Sequence, residues 1–260
     1  MKVFFYNIKR YFPYSIYSAR CSVKAGIAGS TLQFLWLILE PFLMMMVYAF
    51  ISIIVFNSKE PHFVVMVFIG QGTWSFINRC ITDSITLVKG NKSIVSRVYI
   101  PKYMLMISAI AENLFHYGIS ILLTLLVAVP FGVTLTWKIV FLFLIVAEMC
   151  VITFGFGCIL LHIGVYLKDT RKIMRVFMRL LFYMSGIFFS IPSRVPKPFN
   201  NILLCFNPAA MLINETRQVI IYGRIPHMLL LGVWFVFGLL LSIIGVGLIH
   251  RYEQNYVKAI

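Results

Sequence analysis

Six apolar runs separated by short polar connections organise this chain, at roughly 32–56, 62–79, 103–129, 138–161, 173–191 and 228–250. Each approaches or exceeds the about 20 residues a helix needs to cross a bilayer. The second and fifth are the shortest. This pattern predicts an all-α polytopic membrane protein with six transmembrane helices.

Lysine and arginine fix the orientation. Alternate connections carry 5, 5, 5 and 2 of them on one side of the predicted bundle, and 1, 1 and 4 on the other, or 17 against 6. Basic residues accumulate on the cytoplasmic side, so both termini are expected there. The segment before the first run is more than a leash. Residues 14–30 mix aromatic, basic and small side chains, as an amphipathic helix lying in the cytoplasmic interface does. Tyr14 and Tyr17 would sit at headgroup level, with Arg20 and Lys24 in water. The alternative is a short ordered loop.

The 192–227 connection is unusual for an external one. Three prolines in its first seven residues forbid a continuous helix. Its remainder is too apolar for a solvated loop and is broken at Asn207-Pro208 and Gly223. Short helices re-entering the outer leaflet and packed on the bundle near an exit satisfy both facts, because irregular backbone at membrane depth needs protein or a water-filled cavity beside it. A surface amphipathic helix without a transport role is the alternative. Nothing marks a second unit. We read residues 1–260 as one domain, with an interfacial segment at 1–31, the six-helix core at 32–250 and a cytoplasmic tail at 251–260.

Composition agrees. Of 260 residues 61% are hydrophobic and 12% charged, and the mean hydropathy is +0.92, where a soluble domain is about half apolar and a quarter charged. Lipid must be the solvent for most of the surface. The net charge of +15 lies between apolar runs instead of in one patch, which argues for membrane orientation and against nucleic acid as a partner. Cys21, Cys80, Cys150, Cys158 and Cys205 form no CxxC or zinc spacing, so neither a disulfide nor a metal is expected. The N-terminus carries no signal-peptide pattern.

Catalytic motifs are lacking. There is no phosphate-binding loop of the Walker A type, no HExxH or GxSxG, and no acidic pair in a cytoplasmic connection. Ionisable residues within membrane runs are functional candidates: Glu148 in the fourth run, Glu112 and His116 one turn apart in the third, and Glu40 just before Pro41. Such groups serve either a proton relay or packing within the bundle. Gly238, Ser242 and Gly245, with Gly155 and Gly157, predict close helix contacts. Aromatic residues make up 16% of the chain. Most suit packing and interfacial belts, and a minority could stack on sugar rings.

Four stretches in order resemble the ABC-2 type permeases that export teichoic acids, O-antigens and capsular polysaccharides. The first is GSTLQFLWLILEPFLMMMVYAFI from Gly29, with Glu40 where the family usually has Asn before the proline. The second is FIGQGTWSFINRCITDSITLVKGNKSIVSRVYIPKYML. The third is LKDTRKIMRVFMRLLFYMSGIFFSI, with Lys168 and Gly186 where arginine and proline are common; it looks most like the wall teichoic acid exporters. The fourth is FNPAAMLINETRQVIIYG, similar to the family's N-P-x8-R segment.

The resemblance implies two copies of this chain pairing with two copies of a separate nucleotide-binding ATPase, which carries the ATP and Mg. It implies a polymer on an undecaprenyl-type lipid diphosphate as substrate, and a channel opened alternately between the two permeases. The interfacial helix and the 80–100 segment would touch the ATPase, which nominates Arg20, Lys24, Lys89 and Lys92 for coupling. A helix continuous from 168 would place Lys168, Arg171, Arg175 and Arg179 on one face, with Arg179 roughly 16 Å along the axis. Arg171, Arg175 and Arg179 are then candidates to guide the diphosphate, guanidinium forks being suited to phosphate. Anchoring to membrane lipids by charge is the plainer reading. The rivals are export of a small lipid or drug, a membrane-embedded glycan-transferring enzyme, and a proton-coupled transporter.

Overall fold

The computed structural model describes residues 2–27, 34–54 and 62–259, and every regular element among them is helical. In chain order these are α1 (Lys2–Ile27), α2 (Phe34–Ile54), α3 (Phe63–Ser84), α4 (Leu87–Gly90), α5 (Lys92–Val95), α6 (Tyr103–Ala128), a 3₁₀ turn (Trp137–Val140) leading into α7 (Phe141–Tyr166), α8 (Thr170–Met184), α9 (Ile191–Arg194), α10 (Phe199–Phe206), α11 (Pro208–Ile220) and α12 (Met228–Ala259). The connection expected at 57–61 and the Gly29-Ser30 pair lie outside the described residues.

Among the described residues, three spans are long and apolar enough to cross a membrane by length and composition: Tyr103–Ala128, Trp137–Tyr166 and Met228–Tyr256. At 1.5 Å per residue α7 extends about 39 Å and α12 about 48 Å, against a hydrocarbon core of about 30 Å. The last turns of α12, expected as a tail, therefore continue the helix. Leu35–Ile51 is a shorter apolar stretch, and α3 has a membrane-length helix diluted by polar side chains. Large apolar side chains such as Leu229, Ile243, Phe143, Phe50 and Leu180 stand exposed on the outer faces, where only lipid or another chain makes them tolerable.

The tightest packing joins α7 to α12, and it rests on the predicted small residues. A Cβ on Gly155 would lie 2.8 Å from Leu241 Cβ and 2.9 Å from the Gly238 carbonyl; one on Gly245 would lie 2.6 Å from Cys158 Cβ. Ser242 Oγ donates to the carbonyl of Gly238 at 2.7 Å and to that of Val151 at 3.4 Å, across the same seam. Gly157 instead makes room for Met106 of α6. Met104, Met149, Cys158, Leu161 and Met211 fill the centre between α6, α7 and α11.

The helix expected at 14–30 begins earlier: α1 starts at Lys2 and runs through Pro13. Its inner side seats on the start of α6, with Asn7 Nδ2 donating to Tyr103 Oη at 3.1 Å and Ser15 Oγ to the Met104 carbonyl at 3.3 Å. Tyr14 packs against the core instead of facing headgroups, whereas Tyr17 is exposed.

The fifth run is not one helix. Its helix, α8, starts at Thr170, so Lys168 is off its face, and ends at Met184. Gly186 follows with φ +66°, the left-handed conformation that terminates helices. Glycine thus ends the helix where the resembling family uses proline. α8 spans about 22 Å, short of the hydrocarbon core.

The 192–227 connection forms three short helices, as the prolines predict. Asn207 starts α11: its Oδ1 accepts from the amides of Ala209 and Ala210 at 3.1 and 3.3 Å, and its Nδ2 donates to Ser185 Oγ at 3.2 Å. Pro208 occupies the first turn, where its missing N–H costs nothing. α11 is buried against α3 and α7 almost all round, while α10 keeps an exposed side. A purely superficial helix is therefore excluded for α11.

Candidate functional site

A polar cleft opens between α2, α3 and α6, inside an otherwise apolar bundle. On α3 the four-residue spacing of Gln71, Ser75 and Arg79 puts all three on one side. Opposite them α6 presents Asn113, His116, Tyr117 and Ser120, and α2 contributes Glu40, Met44 and Tyr48. Together they line a cavity of about 240 Å³. Gly72 permits the approach, since a Cβ there would sit 3.2 Å from Ser120 Cβ.

The cleft is only partly self-satisfied. Gln71 Nε2 donates to Ser75 Oγ at 3.2 Å, while Gln71 Oε1 is buried without a partner among the described residues. Ser120 Oγ turns back on the His116 carbonyl at 3.2 Å, and Asn113 Nδ2 on that of Ala109 at 3.0 Å. Arg79 Nη2 meets Glu40 Oε1 at 3.4 Å, with both side chains substantially exposed. Such a pair contributes about 0–1 kcal/mol and holds the cleft mouth loosely.

An aromatic wall adjoins the cleft. Tyr48 of α2 lies 5.3 Å from Phe188 and 6.1 Å from Phe182, ring centre to ring centre, and Phe182 lies 5.5 Å from both Trp74 and Phe188. Trp74 is buried in this wall, and the half-buried rings of Tyr48, Phe182 and Phe188, beside amide, hydroxyl and guanidinium groups, offer faces of the kind that stack on a sugar. Among the described residues of the cleft, no nucleophile is paired with a base.

The residues singled out from the sequence fall in separate places. Glu112 and His116 share a half-buried side of α6. His116 lines the cleft within electrostatic range of Arg79 and Glu40. Glu112 is reached by Ser22 of α1 and lies in the field of Arg79 and Asp83. Glu148 is elsewhere. It is buried on α7, its Oε1 has no partner among the described residues, and its electrostatic neighbour is Glu215 of α11. Arg171, Arg175 and Arg179 follow one side of α8 over about 12 Å, all exposed. Arg171 is in range of Asp83, as is Arg79. A different side of α8, through Met174, Met178 and Leu181, packs on the aromatic wall.

Among the proposed coupling residues, Arg20 and Lys24 are exposed on α1 and Lys92 on α5. Lys89 instead donates to the Gly164 carbonyl at 2.8 Å, at the C-terminal turn of α7 where a cation is favoured. Gly164 allows this, because any side chain there would strike Ile85.

Two groups escaped notice in the sequence. Tyr99 donates to Glu253 Oε1 at 2.6 Å, Lys102 lies over the Tyr99 ring at 5.2 Å, and His250 is 3.9 Å from Glu253. They clasp the end of α12 to the segment before α6. The Glu253 carboxylate, with burial second, pushes the Tyr99 hydroxyl up to about 12, and burial lowers Lys102 against the pull of Glu253. The other is Arg217, buried on α11, which donates to the carbonyls of Met66, Gly186, Ile187 and Phe189 at 2.9–3.3 Å. It pins the turn after α8 to α3, and a Cβ at Gly70 would lie 3.0 Å from its Nη2. The N-P-x8-R spacing was visible; its physical meaning is a capped helix that delivers an arginine to this turn.

No protein-family model matches the chain. It is similar to the O-antigen export system permease protein RfbA of Klebsiella pneumoniae, 22% identical over 255 residues that cover 97% of each chain. It is also similar to the RfbA protein of the same description from Myxococcus xanthus, 24% identical over 204 residues and 78% of each chain. The polysialic acid transport protein KpsM of Escherichia coli is 24% identical over 244 residues, 89% of this chain and 90% of that one.

Proposed function

Since the chain belongs to the ABC-2 type permease family of polysaccharide exporters, we propose that it carries a lipid-linked O-antigen or capsular polysaccharide from the cytoplasmic to the outer face of the inner membrane. It is a multi-pass membrane protein of that family. Our reading of the path has α2, α3, α6, α7, α8 and α12 as six crossings. The turn after α8, together with α9, completes the fifth. Both termini are cytoplasmic in this reading, supported by the 17 against 6 basic residues. Two copies pair with two copies of a separate ATPase, which binds ATP and Mg. The likeness of the 168–189 segment to wall teichoic acid exporters keeps a polyol-phosphate polymer as the second substrate class.

The cleft between α2, α3 and α6 carries this proposal. Hydrogen-bonding groups at membrane depth are costly unless they serve a polar passenger or pair with one another. Gln71 Oε1, His116 and the Arg79–Glu40 pair, with Tyr48, Phe182 and Phe188 beside them, suit a saccharide that exchanges hydroxyl partners as it moves. Arg171, Arg175 and Arg179, on the cytoplasmic part of α8, would meet the lipid diphosphate first, and the exposed apolar side of α8 and α2 would face lipid or the second copy.

Single cysteines at Ser75 and Ser120 in a cysteine-free background test the cleft. A polar maleimide should label both in membranes of export-competent cells, and a polymer stalled by an ATPase-dead partner should protect them at least fivefold. Labelling of both at equal rates with and without the stalled polymer would sink the proposal.

A further inference from the structure

A second cavity, distinct from the cleft, lies where α9, α11 and the chain after α11 meet the first turn of α3. We propose that it is an exit-side subsite for a hydroxylated anion, an acidic sugar of the polymer as it leaves; this rests on the export reading above. The cavity is about 240 Å³ and is lined by Met66, Ser190, Pro192, Ser193, Asn214, Arg217, Gln218, Tyr222 and Arg224. Seven of these nine carry hydrogen-bonding side chains, on the side of the bundle assigned to the exterior.

The lining asks for two kinds of ligand atom. Gln218 Oε1 is buried and accepts nothing among the described residues, so it calls for a donor such as a sugar hydroxyl. Arg224, exposed at the mouth, is placed to take an anion. Its backbone amide is tied to the Gln218 carbonyl at 2.8 Å, and its guanidinium lies 5.8 Å from the Tyr222 ring centre, with no hydrogen bond from that side chain among the described residues. That stacking holds the fork at the mouth without occupying its N–H groups. Arg217 forms the floor and adds positive charge while its donors hold the turn carbonyls.

Charge placement points the same way. The 192–227 connection holds Arg194, Lys197, Arg217 and Arg224 against one acid, Glu215. Glu215 is buried and engaged by Asn214 Nδ2 at 3.1 Å and the His227 amide at 2.8 Å. A basic exterior connection runs against the orientation rule, and an anionic ligand explains why the bias is kept here.

The chemistry is shared by an acidic sugar and by an anionic lipid headgroup, and the test separates them. The full chain is placed in phosphatidylcholine nanodiscs, and saturation-transfer NMR is read with glucuronate and, at equal concentration, glucose. Glucuronate should give a signal at least fivefold above glucose. Arg224→Ala and Gln218→Leu should each reduce it at least threefold, and Arg224→Lys should retain most of it. Equal signals from the two sugars, or an Arg224→Ala signal equal to wild type, would overturn the subsite. Loss of the glucuronate signal in phosphatidylglycerol nanodiscs would assign the cavity to a lipid headgroup and overturn the sugar assignment. Binding here needs neither ATP nor an assembled exporter, so loss of the export role in cells and loss of this subsite are separately visible.

Discussion

Arg217→Met should loosen the turn after α8 and its seat on α3 and α11. The methionine keeps much of the arginine stem and removes the guanidinium, which in the native protein reaches four carbonyls at 2.9–3.3 Å. Three of those carbonyls, at residues 186, 187 and 189, belong to a turn with no helical ladder to fall back on. Each buried acceptor left unpaired costs about 1–3 kcal/mol. Loss of a buried cation removes its own desolvation cost in return, so the net is smaller than the sum, about 3–5 kcal/mol. In detergent-solubilised chain this should appear as a midpoint of thermal unfolding lower by about 6–20 °C, taking 2–4 °C per kcal/mol for a chain of this size. A cysteine at Ser190 should also become at least tenfold more reactive to a polar maleimide in the variant. An unchanged midpoint together with unchanged Ser190 labelling would refute the assignment of Arg217 as the pin of this turn.

Other consequences are as direct. Gly155→Val forces atoms into the 2.8–3.0 Å space beside Leu241, Gly238 and Ser242; it should cost about 1–3 kcal/mol and cut the yield of monodisperse protein severalfold, while Gly232→Ala, with open space around it, should leave the yield unchanged. Tyr99→Phe removes the donor to Glu253 and, at a partly exposed site, should cost about 1 kcal/mol, seen as severalfold faster amide exchange over 251–256. The sign for pH follows from the raised Tyr99 value: the clasp is intact below pH 10 and is lost as pH climbs toward about 12, so the protection of 251–256 relative to the intrinsic base-catalysed exchange rate should fall in that window in the wild type and stay constant in Tyr99→Phe. If Arg175 and Arg179 recognise a diphosphate bidentately, the double lysine variant should lower polymer export while membrane insertion and ATPase pairing stay normal; normal export would leave the stripe as a charge anchor.

Much of the fold was legible because lipid imposes a simple code. Long apolar runs at 103–129, 138–161 and 228–250 could only be membrane-length helices, and the small residues at 155, 238, 242 and 245 signalled close helix contacts, which the fold places between α7 and α12. The fifth run misled for a physical reason. Its apolar residues continue to 191, but hydropathy does not register that Gly186 takes a positive φ, so the break at 184 was invisible to a length argument. Residues of the cleft were each readable, yet their meeting was not. Gln71, Ser75 and Arg79 show a four-residue period on α3, but nothing local says that α6 turns Asn113, His116 and Ser120 toward them. Glu148 stands out in the sequence as an ionisable residue inside the 138–161 run; its neighbourhood with Glu215 depends on α11 folding back against α7. Lys89 shows the limit of counting charges, since its ammonium is engaged by a helix end.

The central claim is that this chain is the membrane path of an ATP-driven polysaccharide exporter. The direct measurement reconstitutes it with its nucleotide-binding partner in sealed vesicles preloaded, on the ATPase-bearing side, with lipid-linked polymer, and follows polymer becoming accessible to a lectin on the opposite side. The account predicts ATP-dependent appearance of polymer that ceases when either protein is omitted or when the partner's ATPase is inactivated. Polymer transfer at the same rate without the partner, or driven by a proton gradient in place of ATP, would contradict it.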